Sequence, residues 1–329
     1  MEKNNPALRY QLLAIVLGVG IMGIKFAAYF ITHSNSVFTD ALESIINILA
    51  GGVSLYSIWL SAHPRDRNHP YGHGKVEFLA GGFEGGLIFL AGWVAVVKAV
   101  VAIFDPRNVE HLDWGIALVI GTGFLNYLIG LLLTYKGKKY GSIALTSDGE
   151  HLKSDAYTSL GILVGIGAVY LGAPLWVDAA VAILFGLFII YTGFKIFRSS
   201  LSGIMDEANP LILEKISCTL EEKRLPGWID VHNLRVIQFG GLWHVDAHIT
   251  LPFYMPLEDA HQHVVQIEEC IKGSNEAVGE LFIHADPCVP VSCSVCQISS
   301  CSSRFAPFEK RIPWTIDHLV NNSKHHSGL

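Results

Sequence analysis

Six apolar stretches, each at or above the ~20 residues of helix that a bilayer requires, fill the first two hundred residues of this 329-residue chain. They run near Leu8–Phe30, Val37–Leu60, Val76–Phe104, Trp114–Tyr135, Ser142–Leu171 and Leu175–Phe197. In hydrocarbon every backbone N–H and C=O must be paired within the protein, so runs of this kind fold as helices. The third and fifth exceed the minimum and are expected to tilt or to project beyond the membrane. Composition agrees: 51% of residues are hydrophobic and 16% charged, against about 25% charged in soluble domains. Residues 1–200 are therefore expected to form an all-α bundle of six transmembrane helices. Met1–Tyr10 is too polar, and the run from Leu12 too long, for a cleaved signal peptide. The formal charge of −6 says little about partners, and no basic run suggests nucleic acid.

Basic residues in the connections set the expected orientation. Lys3 and Arg9 precede the first run. Arg65, Arg67 and Lys75 lie between the second and third, Lys136, Lys138 and Lys139 between the fourth and fifth, and Lys195 and Arg198 close the sixth. The alternate connections carry only Arg107 or no basic residue. Both termini are thus expected in the cytoplasm.

From about Leu201 the apolar runs shorten. Pro210–Lys223 has a helical pattern, Ile229–Phe239 and Leu242–Leu251 alternate as strands around Gly240-Gly241, Pro256–Ile271 is amphipathic, and Glu280–Ile283 reads as a short strand. The order αββαβ over residues 201–287 predicts a small two-layer α/β domain of ferredoxin-like type. Residues 288–329 form a Cys- and Ser-rich tail without a regular pattern.

Metal-ligand side chains interrupt two of the apolar runs at shared spacing. Asp40, Glu43 and Asn47 fall at i, i+3 and i+7, and Asp148, His151 and Asp155 repeat those offsets, so each trio lies along one helix face. An ionisable group at a bilayer centre costs ~2.5–3.5 kcal/mol on insertion scales, so several in one span need partners. Face to face, Glu43, Asn47, His151 and Asp155 offer four ligands, the number a tetrahedral divalent ion takes. With both carboxylates ionised their charge is minus two, which neutralises such an ion. The bland alternative is helix capping or polar contacts between spans. Asp40 and Asp148 lie a turn away in opposite directions across the membrane and are expected to cap helices or line an access route.

Three further clusters follow. Asp66, His69 and His73 lie in the loop after the second run, as a metal site or as part of a positive-inside loop. His232, His244, Asp246, His248, His261, His263, His284 and Asp286 populate the α/β domain, where imidazole plus carboxylate suits zinc-like ions; scattered surface histidines are the alternative. Cys288, Cys293, Cys296 and Cys301 include a Cys-x-x-Cys pair, and in a reducing compartment a structural zinc site is favoured over disulfides. Cys218 and Cys270 read as ordinary core residues.

The segment Asn68-His69-Pro70-Tyr71-Gly72-His73-Gly74-Lys75-Val76-Glu77, the His151-x-x-x-Asp155 pair and the His284-x-Asp286 strand end together resemble the cation diffusion facilitator family of divalent-metal transporters, over roughly Pro6–Pro287. The resemblance implies a transport site at Glu43, Asn47, His151 and Asp155, a loop site at Asp66, His69 and His73, and a cytoplasmic binuclear site at His232, His248, His261, His284 and Asp286. It implies a homodimer in the lipid bilayer, interlocked at the membrane surface by Lys75 and Asp206, that exports metal in exchange for protons. Familiar zinc and cadmium members carry Asp-Asp or His-Asp where this chain has Glu43 and Asn47. An amide oxygen is a harder ligand and favours iron, manganese or cobalt over zinc. The cysteine tail lies outside the family pattern.

A membrane-bound metal sensor would not need paired ligands deep in two spans. A metalloenzyme would need nucleophile, base and oxyanion groups around a pocket, and the sequence shows no such set, so no enzymatic activity is expected. Short loops and the lack of a targeting peptide point to a bacterial inner membrane.

Overall fold

The computed structural model describes residues 6–32, 35–104, 112–174, 176–274 and 277–326. Two compact units divide the chain, Met1–Met205 and Asp206–Leu329.

The first unit contains six long helices: α1 (Pro6–Thr32), α2 (Asn35–Ser61), α3 (Val76–Phe104), α4 (Leu112–Tyr140), α5 (Ile143–Tyr170) and α6 (Trp176–Ile204). Four described stretches are long and apolar enough to cross a membrane: Pro6–Ala27, Ser44–Ser61, Val76–Phe104 and Ala179–Ile204. The stretch in α5 is diluted by Asp148, Glu150, His151, Lys153 and Asp155, and α4 ends on Lys136, Lys138 and Lys139. The most extensive pairings are α3 with α6, α4 with α5 and α1 with α2. Close backbone approach makes two of these seams. A methyl group on Gly85 of α3 would meet the Phe197 nitrogen of α6 at 2.6 Å, and one on Gly149 of α5 would meet the Thr134 nitrogen of α4 at 2.6 Å. Small residues permit this packing where lipid tails remove any hydrophobic drive between helices. Gly149 sits between Asp148 and His151, so the α4–α5 seam sets the position of the polar face of α5.

The second unit runs α7 (Pro210–Glu222), β1 (Asp230–Phe239), β2 (Leu242–Leu251), α8 (Leu257–Ser274) and β3 (Val278–Pro287), the αββαβ order expected from the sequence. Asn209 caps α7 by accepting the Leu211 N–H at 3.0 Å, as helix N-termini with orphan donors require. The sheet order is β1-β2-β3, with β1 antiparallel and β3 parallel to β2. Alternation sorts the faces. Val245, Ala247, Ile249 and Leu251 of β2 pack into a core with Leu213, Ile216 and Leu220 of α7 and Val264, Ile267 and Ile271 of α8. That leaves His244, Asp246 and His248 on the opposite face. β3 spans ten residues, far more than Glu280–Ile283, because it pairs with β2 from Trp243↔Val278 to Leu251↔Pro287.

The segment after Pro287, patternless in sequence, folds onto this domain. It forms a 3₁₀ turn (Pro290–Ser294) and a short helix α9 (Ile316–Leu319). Trp314 and Leu319 join the main core, while Val295, Cys296 and Ile312 pack around Ile229. Arg224 stacks over Trp314 at 4.1 Å and donates to the carbonyls of Ile229 and Ile312 at 2.9 and 2.8 Å. Burial pulls its guanidinium down to about 10. Isolated apolar residues spaced irregularly have no periodicity to read, which is why the sequence alone does not reveal this packing.

Candidate metal-handling sites

In the helical unit, Asn47 of α2 bridges two residues of α5. Its Nδ2 donates to Asp155 Oδ2 at 2.5 Å, and its Oδ1 lies 3.0 Å from His151 Nε2. Residues 104 and 108 positions apart in sequence thus meet on facing helices. One turn along each helix gives His151 and Asp155 a common face. Glu43 belongs to α2, but its side chain and that of Asp40 lie outside the described residues, as do Lys3 and Arg107.

Asp148 is buried and accepts a hydrogen bond from Gln11 Nε2 of α1 at 2.6 Å. The same Gln11 nitrogen donates to the Gly51 carbonyl at 3.1 Å. Asp148 and Asn47 line one small cavity together with Ser44 and Asn126, so Asp148 sits beside the Asn47 cluster and not at a helix terminus. Gln11 and Asn126 escaped the sequence reading; each is an amide within an otherwise apolar run, and that was the available signal. Glu84 of α3 is fully buried against the Ser54 hydroxyl. Glu77 accepts from the hydroxyls of Ser61 and Ser142, each at 2.6 Å. Lys153 pairs with Glu150 at 2.7 Å on its own helix.

The loop after α2 draws Asp66, His69 and His73 into a group whose donor atoms all lie within 4.8 Å of one another. Asp66 Oδ1 accepts the backbone N–H groups of Asn68 and His69 at 2.8 and 2.7 Å. The hydrogen bond from the His69 backbone does most to hold this carboxyl below its ordinary range. His69 Nδ1 is 3.1 Å from Oδ1, and His73 Nε2 is 3.3 Å from Oδ2.

In the α/β unit, strand register makes a row of imidazoles. His232 of β1 opposes His248 of β2, which opposes His284 of β3. Neighbouring strands lie ~4.8 Å apart, and the ring centroids are 5.2 and 4.9 Å apart. His232, His248 and Asp286 bring one donor atom each within 4.8 Å. Asp286 Oδ2 is 3.3 Å from His232 Nε2 and 3.2 Å from His248 Nδ1. Two imidazoles and a carboxylate suit a borderline divalent cation, so these residues fit the metal that the family resemblance implies. His284 is more open, 3.5 Å from Asp286. His261 is exposed on the first turns of α8, outside the converging group. His244 instead pairs with Asp246 at 2.8 Å and Glu280 at 3.0 Å, and His263 accepts from Trp228 Nε1 at 3.1 Å.

The tail reaches this row. Asp230, two residues before His232 on β1, lies 3.2 Å from His232 Nδ1 and 2.8 Å from His325 Nδ1. Burial works to raise its carboxyl, but the His232 and His325 side chains together hold it down to about 2. His325 stacks on His318 at 4.0 Å, and Lys324 Nζ is 3.9 Å from Asp286. Asp230 was legible as the residue two before His232 on the same strand face; His325 and Lys324 were not, because nothing local ties them to the sheet.

The four tail cysteines are free thiols and line a single cavity with Phe253, Tyr254, Arg304 and Phe305. Burial and the neighbouring thiols of Cys296, Cys293 and Cys301 push the Cys288 thiol up. Lys75 and Asp206 fall in different compact units.

Comparison with known proteins assigns both units to a family. The family described as cation efflux transmembrane domain matches residues 12–205, and cation efflux protein, cytoplasmic domain, matches residues 208–288. An uncharacterized transporter of Synechocystis sp. is 33% identical over 80% of this chain and 84% of its own length. The cation-efflux pump FieF of Serratia proteamaculans is 26% identical over 84% and 91%. Metal tolerance protein C1 of Arabidopsis thaliana is 28% identical over 86% and 63%. The chain is a membrane protein of the cation diffusion facilitator family, whose members carry out metal-cation efflux.

Proposed function

We propose that this transporter exports a divalent cation against protons by alternating access around Glu43, Asn47, His151 and Asp155. The supporting observation is the Asn47 bridge to His151 and Asp155 between two helices of an apolar bundle. Two carboxylates and two neutral ligands balance a divalent charge, which removes most of the cost of carrying that charge through a low-dielectric interior. The cation substitutes for the Asn47 hydrogen bonds, taking the amide oxygen and the imidazole nitrogen as ligands. Metal binding requires deprotonated ligands, so protons arriving from the far side compete for His151 and Asp155 and release the ion. Of the four groups, imidazole titrates nearest neutrality and is the natural proton carrier. Glu43 and Asn47 give α2 two hard oxygen ligands and no imidazole, with the amide uncharged where zinc members carry a carboxylate, which favours iron, manganese or cobalt over zinc.

In this reading all six long helices cross a bacterial inner membrane, with both termini in the cytoplasm, and the protein is a homodimer interlocked through Lys75 and Asp206. Asp66, His69 and His73 collect cations at the membrane surface. His232, His248 and Asp286, with His284 and His261, hold a regulatory cation, which would offset the local negative charge. Regulation of that kind requires different affinity in the two conformations.

Purified protein in proteoliposomes, loaded with a metal-sensitive and a pH-sensitive dye, tests the proposal. Metal uptake with opposite proton flow is expected, with iron, manganese or cobalt outcompeting zinc. Metal binding without flux would leave a sensor and overturn the transport mechanism; flux without proton movement would overturn the coupling alone.

A further inference from the structure

We infer that Cys288, Cys293, Cys296 and Cys301 form a separate tetrathiolate site for a soft or borderline divalent cation such as zinc, which fastens the C-terminal segment to the α/β domain. The site lies outside the residues matched by either family domain, except for Cys288 at the boundary.

Three observations converge. All four thiols line one small cavity. None is in a disulfide. Two backbone N–H groups are aimed at sulfur: Phe253 donates to Cys288 Sγ at 3.4 Å and Phe305 to Cys293 Sγ at 3.5 Å. Donors directed at sulfur supply the supporting shell that fixes ligand orientation.

Arg304 organises the segment that carries the ligands. Its Nη1 donates to the Cys293 carbonyl at 2.9 Å, and its Nη2 to the carbonyls of Cys296 and Ile298 at 3.1 and 2.7 Å. The guanidinium thereby shapes the loop around the cavity and places a positive charge beside a centre that would carry a net charge of minus two.

A tetrahedral zinc–sulfur centre has ~2.3 Å bonds and so sulfur–sulfur spacings of roughly 3.8 Å. Among the described residues no three of these sulfurs lie within 4.8 Å of one another. Binding therefore has to draw the loop inward, and the ion contributes directly to the folding of the segment. This chemistry differs from that of the imidazole–carboxylate row on β1–β3. The thiolate set is closed, with four protein ligands, as structural zinc sites are.

Cobalt(II) added to the reduced, full-length protein in detergent is the test. The expected result is a thiolate-to-cobalt charge-transfer absorption that saturates with one ion per chain and is displaced by zinc. It should persist in His232→Ala, which removes a ligand of the other cluster, and be lost in the double variant Cys293→Ser/Cys296→Ser. Because that variant can misfold, the wild-type titration decides by itself: no charge-transfer band with all six thiols reduced overturns the site. A band of full strength in the double variant overturns the ligand assignment. Neither result bears on proton-coupled flux, which is read in a different assay.

Discussion

The polar cluster between α2 and α5 and the histidine row on β1–β3 use similar side chains on opposite mechanical terms. Asn47 and Asp155 stand on separate helices, joined only by side-chain hydrogen bonds and packing. His232, His248 and His284 are locked into register by the strand ladder. Helices can shift past one another by rigid-body motion while keeping all their internal hydrogen bonds. A strand cannot slip by one residue without sending its side chains to the other face. The helical cluster can therefore open and close, as the proposed ion carriage demands. The sheet cluster is held in place, as the proposed regulatory binding demands.

This contrast makes unequal predictions for the two regions. Asp155→Ala is expected to have the largest effect: metal flux in proteoliposomes should fall by more than ~100-fold, beyond what loss of a supporting contact usually costs, while the α/β domain keeps its metal affinity. Flux at the wild-type rate would remove the helical cluster from transport. Trp314→Ala should act on the sheet region alone. It empties a fully buried site and should cost about 3–5 kcal/mol, read by denaturant unfolding of the α/β domain.

His232→Ala is expected to weaken regulatory metal binding by at least the ~10–100-fold that loss of a supporting contact costs and to preserve basal flux, measured by calorimetry beside transport. If basal flux vanishes with it, the two clusters are not separable. Asn47→Asp should move preference from iron, manganese or cobalt toward zinc by about tenfold, scored by competition in the flux assay. Unchanged selectivity would mean that the amide does not set it. Smallest of all, Lys324→Ala removes an ammonium 3.9 Å from Asp286. An ion pair of this kind is worth ~0.2–1 kcal/mol, so cation affinity at the histidine row should rise about 1.5- to 5-fold. A fall would show that Lys324 supports the site instead of competing with it.

Much of the architecture was readable from periodicity. Six long apolar runs became six helices, and alternation in β2 separated Val245, Ala247 and Ile249 from His244, Asp246 and His248. The candidate ligands announced themselves as polar residues at helical or strand spacing. Glu280–Ile283 was too short an estimate for β3, because the alternating signal fades where a strand is exposed on one face and its pairing with β2 does the rest. Gln11 and Asn126 carried little signal, since one amide in an apolar run is not a pattern.

Sequence alone located the six long helices, α7, α8, β1 and β2, and marked the side chains able to ligate a metal, because those properties follow from local spacing and side-chain chemistry. Tertiary structure alone decided that Gln11 meets Asp148, that His325 meets Asp230 and that four cysteines surround one cavity. Those pairings depend on where the chain returns in space, and that is settled by summed packing over distant segments, which leaves no periodic trace in the residues themselves.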